Sequence, residues 1–143
     1  MLTGGCHCGR VAYEVHGKLG VVTYCHCATC RKVSGGPFVA AAPARAKYFR
    51  VVRGADAITE YESSPGKVRA FCRFCGSPLY SHRAADPATY RLRLGGIDGD
   101  PERRPAAHVF VGEKAPWFTI TDDLPRSDGD GSDLLAPASP AKA

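Results

Sequence analysis

Residues 24–32 read Tyr-Cys-His-Cys-Ala-Thr-Cys-Arg-Lys, and they hold three of the seven cysteines in the chain. The other four cysteines form two close pairs, at residues 6–8 and 72–75. Two such pairs supply the four sulfur ligands of a closed metal site. The three cysteines of residues 24–32 then remain as a separate set with one coordination position to spare. The sequence therefore predicts a four-plus-three division of the cysteines.

The length of the chain and its lack of long apolar runs limit the possible classes of protein. The 143 residues suffice for one domain. No apolar run reaches the roughly 18 residues of a transmembrane helix. The first six residues have neither a basic segment nor an apolar segment, which predicts no signal peptide. We therefore expect a cytoplasmic protein, in which clustered cysteines are metal ligands or catalytic groups more often than disulfides.

Positive charge is concentrated before residue 122. Residues 1–121 contain 17 basic and 9 acidic side chains, whereas residues 122–143 contain two basic and five acidic ones. The excess Lys and Arg either balance the negative charge of thiolate-bound metal ions or form a basic surface for an anionic ligand. No long Lys/Arg run and no aromatic–basic repeat is present, so a nucleic-acid partner is not favoured.

Short segments of alternating or β-branched apolar residues recur along the chain and predict a mainly β protein. One helical turn is expected at 28–32, ended by the Ser-Gly-Gly-Pro sequence at 34–37, and a hairpin turn is expected at 63–67. We predict a single domain over residues 1–125 and a disordered tail over 126–143, acidic at first and then rich in Pro and Ala. The expected strands are 10–16, 21–24, 38–42, 48–53, 58–62, 68–71, 78–81, 90–94, 108–111 and 117–120.

The four paired cysteines predict a closed, structural metal site. Cys72 and Cys75 form a Cys-x-x-Cys knuckle followed by Gly76, whereas Cys6 and Cys8 have a single residue between them. Four thiolates suit a tetrahedral zinc ion that joins the N-terminus to a turn more than sixty residues later. The alternative of two disulfides is disfavoured because a Cys-x-Cys disulfide closes a small, strained ring.

The three cysteines of the central stretch predict a more reactive metal site. Three thiolates with an open position suit a metal ion that holds an exchangeable thiolate or water. One alternative is a closed Cys3His site, with its histidine drawn from His7, His26 and His82. Of these, His26 is expected to point away from a metal shared by its neighbours. A second alternative is an unmetallated loop of redox thiols.

Two basic residues follow the last cysteine of the stretch directly. A helical turn can aim Arg31 back toward the metal, where it and Lys32 would contact an anionic substrate group. The alternative is a solvated surface pair. Further along the chain, His108 is interpreted as a strand histidine with a local hydrogen bond.

The cysteine motifs and the C-terminal part of the body together resemble a known family. Residues 3–125 are similar to the glutathione-dependent formaldehyde-activating enzymes, a family that includes centromere protein V. The three central motifs are Gly-Gly-Cys-His-Cys-Gly at 4–9, Cys-His-Cys-Ala-Thr-Cys-Arg-Lys at 25–32 and Phe-Cys-Arg-Phe-Cys-Gly-Ser-Pro-Leu at 71–79. The segments Lys-Ala-Pro-Trp-Phe at 114–118 and Asp-Asp-Leu-Pro at 122–125 extend the similarity.

The resemblance implies a fold, two metal ions and a reaction. The fold is the β-tent of the family, in which short antiparallel strands are pinned by a structural zinc ion. Two zinc ions per chain are implied, and the second site can be partially occupied. By motif match, the structural zinc falls on Cys6, Cys8, Cys72 and Cys75. The catalytic-type zinc falls on Cys25, Cys27 and Cys30.

The implied activity is that of a carbon–sulfur lyase on a thiol–aldehyde adduct such as S-hydroxymethylglutathione, with glutathione as cosubstrate and formaldehyde as the aldehyde. No acid or base is assigned. One alternative is a non-catalytic, zinc-stabilised binding module of the centromere protein V type, and a weaker one is a thiol redox protein. Small thiols and aldehydes are the expected partners, and a membrane is not.

Overall fold

The computed structural model describes residues 1–134, which form ten β-strands and one α-helix. The sequence-based prediction of a mainly β protein is confirmed. The elements are β1 (Leu2–Gly5), β2 (Ala12–Val15), β3 (Val22–Cys25), α1 (Ala28–Ser34), β4 (Val39–Arg45), β5 (Phe49–Arg53), β6 (Ile58–Ser64), β7 (Lys67–Cys72), β8 (Pro78–Arg83), β9 (Asp86–Arg93) and β10 (Pro105–Val109).

The strands form two sheets of unequal size. The small sheet has the order β1-β2-β5, and the large sheet has the order β10-β3-β4-β9-β8-β7-β6. All neighbours are antiparallel except β10 and β3, which run parallel. The hairpin of β6 and β7 turns at Gly66, whose φ of 76° favours glycine. This hairpin lies where the sequence predicts a turn.

The main core fills the space between the two sheets. Ala70, Tyr80 and Leu92 occupy aligned positions on β7, β8 and β9, and they pack in one cluster with Tyr13 and Val15 of β2. Because successive side chains alternate between the faces of a strand, the neighbouring residues of β7 to β9 lie on the opposite face of the large sheet. That opposite face carries the candidate functional site.

Two features of the fold differ from the sequence-based prediction. No strand forms at 117–120, and Trp117 is 68% exposed there. Strand β1 was not predicted, because its sequence Leu-Thr-Gly-Gly lacks a β-branched alternation. Glycine is required in β1 for packing, since a Cβ on Gly4 would collide with the carbonyl oxygen of Gly96 and the ring of Tyr13.

The described part of the predicted disordered tail belongs to the folded body, which corrects the predicted boundary at residue 126. Ser127 is buried, and its backbone N–H donates to the carbonyl oxygen of His108 at 2.9 Å. Arg126 pairs in parallel with the same residue of β10. Backbone hydrogen bonds of this kind extend the pairing of β10 and hold residues 125–129 against it. The rest of the predicted tail, 135–143, lies outside the described residues.

Among residues 1–134, no helix has the length and apolar character needed to cross a membrane.

Candidate metal centres

Four cysteines from opposite ends of the domain meet at one point. The Sγ atoms of Cys6, Cys8, Cys72 and Cys75 all lie within 4.8 Å of one another. Two of the separations are 3.6 Å, between Cys6 and Cys8, and 3.8 Å, between Cys8 and Cys72. Four sulfurs arranged tetrahedrally about 2.3 Å from an ion are about 3.8 Å apart, so this cluster fits a metal ion. Both distances far exceed the sulfur–sulfur bond length of a disulfide.

Local hydrogen bonds set the positions of these sulfurs. The backbone N–H of Val11 donates to Cys6 Sγ at 3.2 Å, and that of Gly76 donates to the carbonyl oxygen of Cys72 at 2.7 Å. The hydroxyl and backbone of Ser77 lower the pKa of Cys75 to about 5, with Ser77 Oγ 3.2 Å from the sulfur. Hydrogen bonds to the charged form favour a thiolate, which is the form that binds metal.

The three remaining cysteines meet in a second cluster on one loop. The Sγ atoms of Cys25, Cys27 and Cys30 lie within 4.8 Å of one another. Cys25 ends β3, Cys30 lies in α1, and Cys27 caps the helix by accepting a hydrogen bond from the Cys30 N–H at 3.3 Å. The predicted helical turn therefore exists and arranges the three sulfurs. They can hold a metal ion that keeps one position open.

No histidine among residues 1–134 joins this second cluster, so the structure does not assemble the alternative Cys3His site. His26 turns away from the sulfurs, as expected, and its Nε2 lies 2.8 Å from Nδ1 of His108. His82 Nε2 instead lies 3.3 Å from Glu60 Oε1. His7 is exposed beside the other cysteine cluster, where its backbone N–H donates to Ser77 Oγ.

The three sulfurs are electrostatically coupled. Hydrogen bonds from Cys25 and Cys27 lower the pKa of Cys30, and the charge of Arg69 lowers it further. The same sulfur–sulfur contacts raise the pKa of Cys25. Both terminal nitrogens of Arg69 lie 3.8 Å from Cys30 Sγ. Three thiolates so close together need a cation between them to be charged at the same time.

Two buried histidines and one exposed carboxylate form a chain of polar contacts that supports the loop on the side away from the sulfurs. His108 contacts His26 through Nδ1, and its Nε2 lies 3.0 Å from both carboxylate oxygens of Asp122. His108 lies on a strand, β10, as the sequence predicts, but its partners are distant in sequence rather than local. No sequence signal connects residues 26, 108 and 122, because their contact depends on the parallel pairing of β10 with β3.

Several cations that the sequence analysis did not single out surround the three-cysteine cluster. Arg91 donates to Thr23 Oγ1 at 3.3 Å, and Arg93 donates to Ser81 Oγ at 3.4 Å. The predicted anion contacts lie elsewhere: Arg31 is half-buried on α1, and Lys32 is exposed. Their contact with a substrate stays a prediction.

A cleft of about 950 Å³ extends from one cysteine cluster towards the other. Cys6 and Gly76 line it at one end, and Val39, Arg69 and Arg93 line it at the other. Cys25, Cys27 and Cys30 do not line it themselves. However, Val39 pairs with Cys25, and Arg69 contacts Cys30. The volume is in the range of small-molecule sites, and neither Arg31 nor Lys32 is part of its lining.

Comparison with known proteins places the chain in a family. The model of the family "Glutathione-dependent formaldehyde-activating enzyme" matches residues 1–113. A protein of Halomonas elongata that carries this enzyme name provisionally is 31% identical over 128 residues, which cover 84% of this chain and 81% of the relative. A crystal structure of a Rhodobacter sphaeroides protein is 34% identical with a TM-score of 0.60, and the match covers 68% of this chain and 89% of that one. The chain therefore belongs to the glutathione-dependent formaldehyde-activating enzyme (GFA) family.

Proposed function

We propose that the protein is a zinc-dependent carbon–sulfur lyase of the GFA type, acting on a thiol–aldehyde adduct such as S-hydroxymethylglutathione. The observation that carries this proposal is the contrast in ligand number. One cluster has four sulfurs, whereas the loop of Cys25, Cys27 and Cys30 has three. Three protein ligands and an open position are typical of catalytic zinc, and four are typical of structural zinc.

Zinc is the proposed ion at both clusters because thiolate ligands in tetrahedral sets favour it. Cys6, Cys8, Cys72 and Cys75 would hold the structural ion that completes a β-tent fold. Cys25, Cys27 and Cys30 would hold the second ion, which would supply a binding position for the substrate sulfur as a thiolate. Cysteines that are all free of disulfides suit a reducing compartment, so the cytoplasm is the proposed location.

The reaction joins a thiol to an aldehyde and is reversible. The sulfur forms a bond to the carbonyl carbon, the carbonyl electron pair moves to oxygen, and the proton lost by the thiol is balanced by one gained by that oxygen. Arg69, 3.8 Å from Cys30 Sγ, offsets the negative charge of the three thiolates. The lining of the cleft at Phe38 and Val39 is apolar, which limits the access of water to a substrate beside the loop.

The proposal is tested by measuring exchange between glutathione, ¹³C-formaldehyde and their adduct by NMR. We expect the zinc-loaded protein to accelerate exchange above the spontaneous rate. The Cys27→Ser variant is expected to lose this acceleration while keeping the structural ion. An exchange rate equal to the spontaneous one, with two zinc ions bound per chain, would contradict the proposed reaction.

The alternative of a non-catalytic binding module of the centromere protein V type predicts binding without exchange. The cations of β7 and β9 beside the three-cysteine loop, Arg69, Arg91 and Arg93, are half-buried, which suits a small anion better than the exposed phosphates of a nucleic acid. The second alternative, a thiol redox protein, predicts three freely oxidisable thiols on the loop. Two tightly held zinc ions per chain would argue against it.

A further inference from the structure

Cations from three adjacent strands gather on the face of the large sheet that carries the three-cysteine cluster. Arg69 of β7, Ser81 of β8 and Arg91 of β9 are aligned in register, and Lys67 is aligned with Arg83. Adjacent strands are about 4.8 Å apart, so these side chains fall within a patch about 10 Å wide. We call the set the cationic face; it consists of Lys67, Arg69, Arg83, Arg91 and Arg93.

The cationic face has little negative charge to balance it. The ion pairs found among residues 1–134 involve other side chains, and none includes a member of this face. Asp130 is near enough to Arg83 for the two charges to interact, but without an ion pair. The three thiolates with a divalent ion carry a net charge of only about −1. An excess of positive charge therefore remains beside the metal loop.

Part of this excess positive charge is buried, which destabilises the folded state. Lys67 is only 7% exposed, and burial lowers its pKa to about 8, with Arg83, Arg91, Arg69 and Arg93 lowering it further. Burial and the proximity of Arg69 also lower the pKa of Arg93. A buried charge without a partner destabilises the folded state. Natural proteins retain such a cost mainly at functional sites.

Two members of the cationic face line the cleft beside the three-cysteine loop. Arg69 and Arg93 line the cleft, and the guanidinium of Arg69 is 3.8 Å from Cys30 Sγ. An anionic group bound there lies only a few ångströms from a sulfur held at the three-cysteine loop. Guanidinium groups bind carboxylates through two parallel hydrogen bonds, which fixes orientation as well as position.

We propose that the cationic face binds a carboxylate of the substrate thiol, so that the site selects anionic thiols over neutral ones. This inference rests on the proposed function for the position of the thiol sulfur, and it adds the residues that determine specificity. Arg69 and Arg93 contact the carboxylate. The other three members raise the local positive potential without touching the carboxylate; they are Lys67, Arg83 and Arg91. Their positions explain where part of the excess charge of residues 1–121 resides.

The test compares glutathione with glutathione diethyl ester, in which both carboxylates are masked while the thiol is unchanged. Binding to the zinc-loaded, full-length protein is measured by calorimetry. We expect glutathione to bind at least about tenfold more tightly than the ester, the effect of losing one or more charge-assisted hydrogen bonds. In Arg93→Gln and in Lys67→Met, we expect this ratio to fall to about threefold or less. Arg103→Gln, which removes an exposed cation outside the cleft, should leave the ratio unchanged.

Each outcome separates this inference from the proposed function. Equal binding of glutathione and its ester, or a ratio that survives in both Arg93→Gln and Lys67→Met, overturns the carboxylate site. A ratio that falls in these two variants but not in Arg103→Gln supports it, even if the protein accelerates no exchange of formaldehyde. In that case only the proposed carbon–sulfur lyase activity is contradicted, and the carboxylate site stands. Circular dichroism and zinc content must match the wild type for a variant to be compared.

Discussion

The two cysteine clusters use the same ligand atoms but sit in different surroundings. The four-cysteine cluster joins two segments more than sixty residues apart, and it borders the main core through Cys6, Cys72 and Cys75. The three-cysteine cluster comes from one loop and packs with only two small apolar residues, Val39 and Ala41. The first cluster therefore closes the fold, whereas the second is attached to a sheet that is already formed.

Their electrostatic neighbours differ as well. Backbone N–H groups, the hydroxyl of Ser77 and one exposed cation surround the four sulfurs; that cation is Arg10, whose guanidinium lies 3.8 Å from Cys8 Sγ. Buried or half-buried cations and the His26–His108 pair surround the three sulfurs. The single cation at the closed site is exposed and screened by solvent, whereas the half-buried cations without ion pairs at the other site leave it ready for an anion. The two sites thus differ in ligand number, and their different surroundings suit them to different roles.

The largest expected effect comes from removing a sulfur of the closed cluster. Cys72→Ser should abolish cooperative unfolding near room temperature, because structural zinc contributes on the order of 10 kcal/mol, comparable to the whole stability of a domain. Cys30→Ser should leave a folded chain with one zinc ion. Thermal denaturation followed by circular dichroism, together with zinc analysis, checks both. Two variants with equal melting temperatures would remove the distinction between the clusters.

A smaller effect is expected from breaking the buried support of the three-cysteine loop. His108→Ala leaves Nε2 of His26 buried without a partner and opens a cavity, so it should lower the free energy of unfolding by about 2–4 kcal/mol. Urea denaturation measures the loss. The control His16→Ala removes a half-exposed histidine paired with Glu14 and should change stability by no more than about 0.5 kcal/mol. Similar losses of unfolding free energy in the two variants would mean that the buried histidine pair stabilises the fold no more than an exposed histidine does.

Replacing Lys67 is expected to increase stability, whereas the preceding substitutions decrease it. Lys67→Met removes a buried cation that faces Arg69, Arg83, Arg91 and Arg93, so it should raise the free energy of unfolding at pH 7 by about 1–3 kcal/mol. The pKa of Lys67 is about 8 in the folded chain and about 10.5 ordinarily. The folded wild type therefore loses this proton first, and its stability rises relative to the variant as the pH increases from about 8 to 10.

The measurement is the difference between the urea denaturation curves of wild type and Lys67→Met at several pH values, in buffer without carboxylates. This difference should be largest at pH 7 and shrink towards pH 10. A difference that stays constant would show that the lysine carries no buried charge in the folded chain.

The smallest effect is expected at the exposed cation that the sequence analysis proposed as a substrate contact. Lys32→Gln should change the KM for glutathione by no more than about twofold, because an exposed charge is screened by solvent and Lys32 does not line the cleft. Steady-state kinetics of the exchange reaction measure it against Arg93→Gln. An equal rise in KM for the two variants would mean that Lys32 contacts the substrate, as the sequence predicts, and that Arg93 has no special role.

The fold was largely predictable from local patterns, and the failures have identifiable causes. Alternating residues located β2, because a strand with one buried face keeps a period of two. Strand β1 escaped detection because close packing against Tyr13, rather than β propensity, places glycine in it. Residues 126–134 were assigned to a disordered tail on composition, although backbone pairing with β10 holds part of that segment.

Cysteine spacing in the sequence located the two pairs and the set of three, because ligands within two or three residues of one another converge in a compact turn. The joining of the two pairs into one cluster was inferred from ligand number, and the fold brings them together across more than sixty residues. The tertiary structure alone decided which charges face the open cluster. Lys67, Arg69, Arg91 and Arg93 are up to 26 residues apart in sequence, and only the register of β7, β8 and β9 places them on one face. Pairing between strands is non-local, so composition recorded the excess positive charge without indicating where it lies.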